Sequence, residues 1–294
     1  MTVTTTSTAD AQPVQAGRRP LILSRSRLAW TGTLPFLGYV GVFLLLPTGI
    51  VLWDAVHSSS GGFDFGAISM LWSSSTRSYF ANSAELSAIT SVVGALLGAV
   101  LSYAIATGNP DGLIRRLYLA GSGVLAQFGG VTLAFAFLIT IGPTSGLLLH
   151  AGWFYDFPQG IGLIYIYFQI PLMVLVFLPA VDGLKTQWRE AAETLGGSAW
   201  QFWRYIGGPL LAPAFLGAVL LLFANALSAF ATIVAWENQI SYVVPQQIST
   251  ALSSEVGLSS ANQADVLALG MIVLVAIVMT GYALLQRRTT RWLR

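Results

Sequence analysis

Six long apolar runs alternate with short polar segments along the chain, at roughly 34 to 56, 84 to 107, 117 to 141, 160 to 181, 210 to 234 and 265 to 286. A helix rises about 1.5 Å per residue, so about 20 apolar residues cross the hydrocarbon of a bilayer. Each run therefore predicts one transmembrane helix. The runs are continuous rather than alternating, which favours helices over barrel strands. Residues 1–28 carry Thr, Ser, Ala and Gln without an apolar period, a pattern that predicts a disordered tail. The first apolar run is too long for the core of a signal peptide, so it is expected to be a retained span. Residues 29–294 then form one all-α membrane domain of six helices.

The cations test that count. Arg18, Arg19, Arg25 and Arg27 precede the first run, Arg115 and Arg116 separate the second and third, and Lys185, Arg189 and Arg204 separate the fourth and fifth. Arg287, Arg288, Arg291 and Arg294 follow the sixth. With six spans, thirteen of the fourteen Lys and Arg residues share one side, and Arg77 alone lies opposite. The positive-inside rule then puts both termini in the cytoplasm of a cell (inner or plasma) membrane. Trp53, Trp72, Trp153, Tyr155 and Trp236 fall where spans meet the other face, as headgroup-level aromatics do.

Composition narrows the chemistry. At 55% hydrophobic and 9% charged residues, the chain cannot cover a soluble globule of this size with polar surface. It has no cysteine, which excludes disulfides and thiolate chemistry, and its two histidines, His57 and His150, lie in outer connections without a partner motif. No phosphate loop is present, since the one lysine, Lys185, follows Leu184 rather than glycine. No ionisable group sits near a span centre, which counts against a proton-coupled carrier. The chain is not expected to be an enzyme or to bind a cofactor or metal.

The polar groups left inside the spans are neutral. Gln127 and Thr132 fall in the third, Tyr165, Tyr167 and Gln169 in the fourth, and Asn225, Ser228 and Thr232 in the fifth. They either line a polar path or hydrogen-bond between helices as packing. Asn225, Ser228 and Thr232, spaced by three and four, predict one helical stripe. Pro47, Pro171 and Pro179 predict kinks.

One polar stretch, about residues 183–209, separates the fourth and fifth runs. "LKTQWREAAETL" predicts a short helix ended by Gly196 and Gly197. Ser198 with Gln201 three residues on is a capping box that restarts a second short helix over "AWQFWRYI". Gly207, Gly208 and Pro209 predict its end, with Pro209 in the first turn of the fifth span. Such a unit either lies on the membrane surface or docks a protein; its acidic first half favours a protein over anionic lipid.

Glu190, Ala191, Ala192, Gly196, Ile206 and Pro209 reproduce, in spacing, the EAA signature of permease subunits of binding-protein-dependent ABC importers. The chain resembles that family in span number and in the position of the loop as well, and looks like a type I importer permease. The residue before Pro209 departs from the family pattern, being Gly208 instead of leucine. The resemblance implies two cytoplasmic ATPase subunits carrying ATP and Mg, a second permease subunit (identical or sister), an extracytoplasmic binding protein, a surrounding lipid bilayer and no nucleic acid. It also implies that the six motif residues couple to the ATPase, leaving Asn225, Ser228, Thr232, Gln127, Tyr165 and Gln169 as candidates for the path. The later segment "NALSAFATIVAWENQISYVVPQQI" is similar to permeases for polyamines, iron, thiamine or aminoalkylphosphonates, with polyamine the first expectation. A sodium-coupled carrier and a non-transporting membrane scaffold are the competing readings.

Overall fold

The computed structural model describes residues 25–57, 62, 69–109, 111–142, 148, 152–236, 243–253 and 258–290. The tail to residue 24, Asp64, His150, Glu237 and Glu255 lie outside the described residues. All regular elements among the described residues are helical. Backbone contacts divide the chain into two units, residues 1–50 and 51–294.

The first unit begins with α1, Arg25–Val40, so helix starts inside the segment read from sequence as tail. A π turn, Gly41–Leu45, leads into α2, Leu46–Asp54, which continues past the unit boundary. The apolar stretch Thr33–Asp54 has 22 residues, about 33 Å of helix at the usual rise. The π turn has a cause in Pro47. A proline ring crowds the carbonyl four residues back and brings no N–H; widening the preceding turn accommodates it, and the Leu46 amide reaches back five residues to the Gly41 carbonyl.

The second unit is built on α3, Ser74–Ala106, lying along α6, Gln159–Asp182. Thr90, Gly94, Gly98 and Ser102 recur every four residues on α3 and are all buried. A Cβ on Gly94 would lie 2.8 Å from the Cβ of Gln169, and one on Gly98 would lie 2.5 Å from that of Met173 and 2.9 Å from the Ile170 carbonyl oxygen. Small residues at helix spacing let two backbones approach this closely, the usual means of association where lipid removes the hydrophobic drive between helices. Pro171 and Pro179 remain inside an unbroken α6. Alongside this pair, α9, Gly208–Leu227, packs through Ala218 and Leu222 onto Ala95, Met173 and Phe177.

The third and fifth apolar runs do not form straight spans. α4, Leu113–Gln127, and α5, Val131–Ile141, meet at a 99° bend. The bend falls at Gly129 and Gly130, and Gly130 takes φ +72°, a left-handed region that glycine enters without steric cost. The fifth run stops at Leu227 and resumes as α10, Phe230–Trp236. The Ser228 hydroxyl donates to the Asn225 carbonyl at 3.1 Å, and the Phe230 amide to the Ser228 carbonyl at 2.8 Å, a local turn in place of the helical ladder. The two breaks come together, since a Cβ on Gly130 would touch that of Ala231 at 3.4 Å. The freed Ala229 carbonyl accepts a bond from the Tyr165 hydroxyl at 2.7 Å. α5 and α10 then close over α6 in one core with Leu133, Ala134, Ile161, Tyr165, Ile233 and Trp236.

α11, Val244–Ser253, and α12, Leu258–Thr290, complete the unit. The Val244 amide donates to the Ser83 hydroxyl of α3 at 2.9 Å, and the Tyr282 hydroxyl of α12 to the Pro213 carbonyl of α9 at 3.1 Å. Among the described residues five helices are long and apolar enough to cross a membrane, and the bent α4–α5 pair makes six if it counts as one span.

Replacing Gly98 by leucine forces a side chain into Met173 and the Ile170 carbonyl, an overpacking that costs about 1–3 kcal/mol. The melting temperature in detergent should therefore fall for Gly98→Leu and stay put for Gly121→Leu, where a Cβ meets nothing within 4 Å. Equal melting of the two variants would contradict the close α3–α6 contact.

Candidate functional site: a polar helical loop and a neutral cluster

Between α6 and α9 the chain leaves the core. α7, Thr186–Thr194, carries Glu190 and Ala191 on exposed positions and Ala192 half-buried. Its last carbonyls are taken up in a tight stop: the Leu195 amide donates to Ala191 at 3.1 Å, Gly196 to Glu193 at 2.9 Å and Gly197 to Ala192 at 2.8 Å. Such a reversal needs a left-handed residue, and Gly196 has φ +77°. The turn pushes Leu195 outward until it is 88% exposed.

The next helix is fixed at its first residue. Ser198 accepts from the Gln201 amide at 3.3 Å while its own amide donates to the Gln201 side chain at 2.8 Å, the reciprocal capping box expected from the sequence. α8, Ala199–Phe202, follows. Phe202 turns inward and is buried, with its ring edge-on to Trp203, whereas Trp200 and Tyr205 stay exposed.

Gly207, Gly208 and Pro209 do not end this helix, contrary to the expectation from sequence. A second π turn, Trp203–Gly207, carries it straight into α9, so that Ala199–Leu227 is one helical length of 29 residues. The geometry repeats that at Pro47: the Gly208 amide, just before Pro209, reaches back five residues to the Trp203 carbonyl. A Cβ at Gly208 would stand 2.6 Å from that carbonyl oxygen. The turn at Pro47 carries a leucine, Leu46, at the equivalent position, so the geometry alone does not require glycine here, although the 2.6 Å approach would make a side chain at 208 shift its neighbours. Ile206 lies exposed in the π turn and Pro209 exposed in the first turn of α9.

The six path candidates are not brought to one surface. Asn225 is half-buried, Ser228 exposed and Thr232 buried. The single stripe expected from their spacing fails because the helix ends at Leu227, and Thr232 belongs to a different helix. Tyr165 and Gln169 are fully buried and serve interhelical packing: Tyr165 holds the break at Ala229, and the Gln169 amide donates to the Thr90 hydroxyl at 3.1 Å. The Gln169 side-chain oxygen is buried without a partner. Gln127 is exposed on the last residue of α4, at the edge of the first break. Asn225 and Ser228 thus keep access from outside the core, beside the second break. Among the described residues no three His, Asp or Glu side chains gather as a metal site would require.

Sequence reasoning missed two features of the loop, the inward anchor Phe202 and the outward tip Leu195, and, before it, the ion pair Arg115–Asp182 at 2.5 Å, which ties the start of α4 to the end of α6. Phe202 and Leu195 had no periodic signal, since each lies in a segment of a few residues flanked by turns.

Residues 110–291 match the family model of the binding-protein-dependent transport system inner membrane component. The sulfate transport system permease protein CysT of Escherichia coli (strain K12) is 31% identical over 88 residues, which is 28% of this chain and 32% of CysT. The thiamine transport system permease protein ThiP of Brucella suis is 27% identical over 224 residues, covering 71% of this chain but 39% of ThiP. The chain thus matches under half the length of either relative. Among solved structures, a chain of a bacterial ABC transporter involved in the import of the acidic polysaccharide alginate aligns with a TM-score of 0.69 at 18% identity, over 91% of this chain and 96% of that one. The loop, the helical architecture and the matched region converge, and the chain belongs to the family of binding-protein-dependent transport system inner membrane components, the permeases of ABC importers.

Proposed function

We propose that the chain is one of two permease subunits in an ATP-driven importer, inserted with both termini and the α7–α8 loop in the cytoplasm. Two ATPase subunits supply ATP hydrolysis, with ATP and Mg bound there, and an extracytoplasmic binding protein delivers the solute. The observation that carries this reading is the loop itself. Glu190, Ala191 and Ala192 sit on a short helix, and Gly196 reverses the chain so that Leu195 projects at the tip. Such a knob suits a cleft on a partner, with an apolar tip and charges around it. The capping box and the buried Phe202 make the second half of the loop stiff.

Motion at the knob has a continuous route inward. Ile206 and Pro209 lie on the single helical length from Ala199 to Leu227, which ends at the break beside Asn225 and Ser228. A push on the loop therefore tilts a rod whose far end lies at the polar turn. Asn225 and Ser228 are the groups that touch the solute in this scheme; Tyr165 holds the turn in place, Gln169 ties α6 to α3, Thr232 is buried on α10, and Gln127 lies at the facing break.

The solute is a small polar or charged molecule. The polyamine favoured by the sequence has no counterpart among the relatives above, which are named for sulfate and thiamine. The polar groups beside the break are uncharged, and a site of neutral donors and acceptors does not choose a sign of charge on its own.

A left-handed φ costs a residue with a Cβ roughly 1–2 kcal/mol, so Gly196→Val should deform the turn. In proteoliposomes with its ATPase and binding protein, Gly196→Val and Glu190→Lys should each lower uptake and stimulated ATP hydrolysis several-fold while the subunit still inserts. Uptake at the unmodified rate in both, or uptake without any ATPase, would overturn the reading.

A further inference from the structure

A groove beside α3 changes polarity along its length. Its apolar part, about 480 Å³, runs between Val100 of α3, Phe177 of α6, and Leu211 and Phe215 of α9. Its other part, about 310 Å³, is bounded by Thr107, Lys185, Thr186 and Arg189. Tyr103, Val181 and Trp203 wall both parts, and the Tyr103 and Trp203 rings meet edge-on at 5.1 Å. One groove therefore passes from hydrocarbon-like walls, through a pair of aromatic rings, to two cations at the root of the loop.

The cationic end is available to an anion. Arg189 donates to Glu193 through Nε at 3.0 Å, and its two terminal amino groups remain for another acceptor. Lys185 lies with Nζ 6.0 Å from the Trp188 ring centre. No side chain caps the start of α7, and no acidic residue occupies its first turn, so its backbone N–H groups add to the positive end. A neighbouring groove walled by Leu101, Ile114 and Tyr118 has one cation, Arg115, which pairs with Asp182 at 2.5 Å, whereas the groove here has Lys185, in no ion pair among the described residues, beside the paired Arg189.

We propose that the groove holds one phospholipid with an anionic headgroup, one acyl chain between α3 and α9 and its phosphate at Lys185, Arg189 and the first turn of α7. The order of surfaces carries the assignment. An acyl chain needs a long apolar wall, an interface favours Trp and Tyr, and a phosphate needs charge-assisted donors; the groove offers the three in that sequence. The exposed carboxylates Glu190 and Glu193 do not wall the polar part, and Glu193, the one bonded to Arg189, engages only its Nε at 3.0 Å. The lipid wedges the base of the loop against α3 and α9. This assignment requires only that the chain lies in a bilayer, and it stands apart from what the chain transports.

Native mass spectrometry of the full-length chain, released from nanodiscs of equal phosphatidylglycerol and phosphatidylcholine, reads the retained lipid directly. Phosphatidylglycerol should be retained at least about fivefold over phosphatidylcholine, because both carry the phosphate but the choline cation of the second offsets its attraction to two basic residues. Lys185→Gln with Arg189→Gln should abolish that preference, and Ala212→Phe, which fills the apolar part, should lower retention of both lipids. Arg116→Gln, away from the groove, should change neither. Equal retention of the two lipids by the unmodified chain, a preference that survives the double substitution, or one lost equally in Arg116→Gln would overturn the proposal. So would a second copy of the chain retained in place of lipid. The double substitution alters exposed side chains and Ala212→Phe alters packing, so failure of either variant to insert leaves the other decisive.

Discussion

A backbone in hydrocarbon has no water to bond with, and every departure from the α-helical ladder must be answered inside the protein. This chain departs from it repeatedly, and at three of these places the answer is a specific group. At Pro47 and Pro209 the ladder widens by one residue and the preceding amide reaches back five positions. At Ala229 the freed carbonyl takes the Tyr165 hydroxyl. The hydroxyls of Thr90 and Ser102 fold back at 2.8 Å onto the carbonyls of Leu86 and Gly98, which keeps them satisfied on a surface that must be small enough for α6 to approach. The close α3–α6 contact, the two breaks and the continuous loop-to-α9 rod are consequences of one requirement met in three ways.

Those answers also arrange the second unit for its task. The α3–α6 pair is a stiff core, because Gly94 and Gly98 leave no slack between backbones. α9 is joined to the loop without a hinge at its start and ends in a turn bonded to that core through Tyr165. In the proposed scheme a displacement entering at Leu195 passes the turn at Gly196 and then a continuous helix, whose ladder is interrupted beside Asn225 and Ser228.

Much of this was legible in the sequence, for physical reasons that can be named. Apolar run length sets span number whatever the packing, and Gly196 and Ser198 with Gln201 specify a stop and a start through bonds within a few residues. What failed were inferences that assumed a continuous helix or a breaking one. The stripe through Asn225, Ser228 and Thr232 presumed an unbroken ladder, yet the Ser228 hydroxyl bonds the Asn225 carbonyl and the chain turns. Gly207, Gly208 and Pro209 read as a breaker, yet a π turn passes this proline without stopping, as another does at Pro47. Tyr165 and Gln169 read as path residues because polarity inside a span is visible in sequence, whereas their partners Ala229 and Thr90, far off in the chain, are not.

The central claim is that the knob at Leu195 seats in an ATPase subunit. The chain has no cysteine, so a single Leu195→Cys substitution provides one reactive site for a short bifunctional crosslinker in the assembled importer. The account predicts a crosslink between that position and the ATPase subunit, with a yield that changes on adding ATP. No crosslink at position 195, together with one formed from Ser74→Cys at the far end of α3, would contradict it.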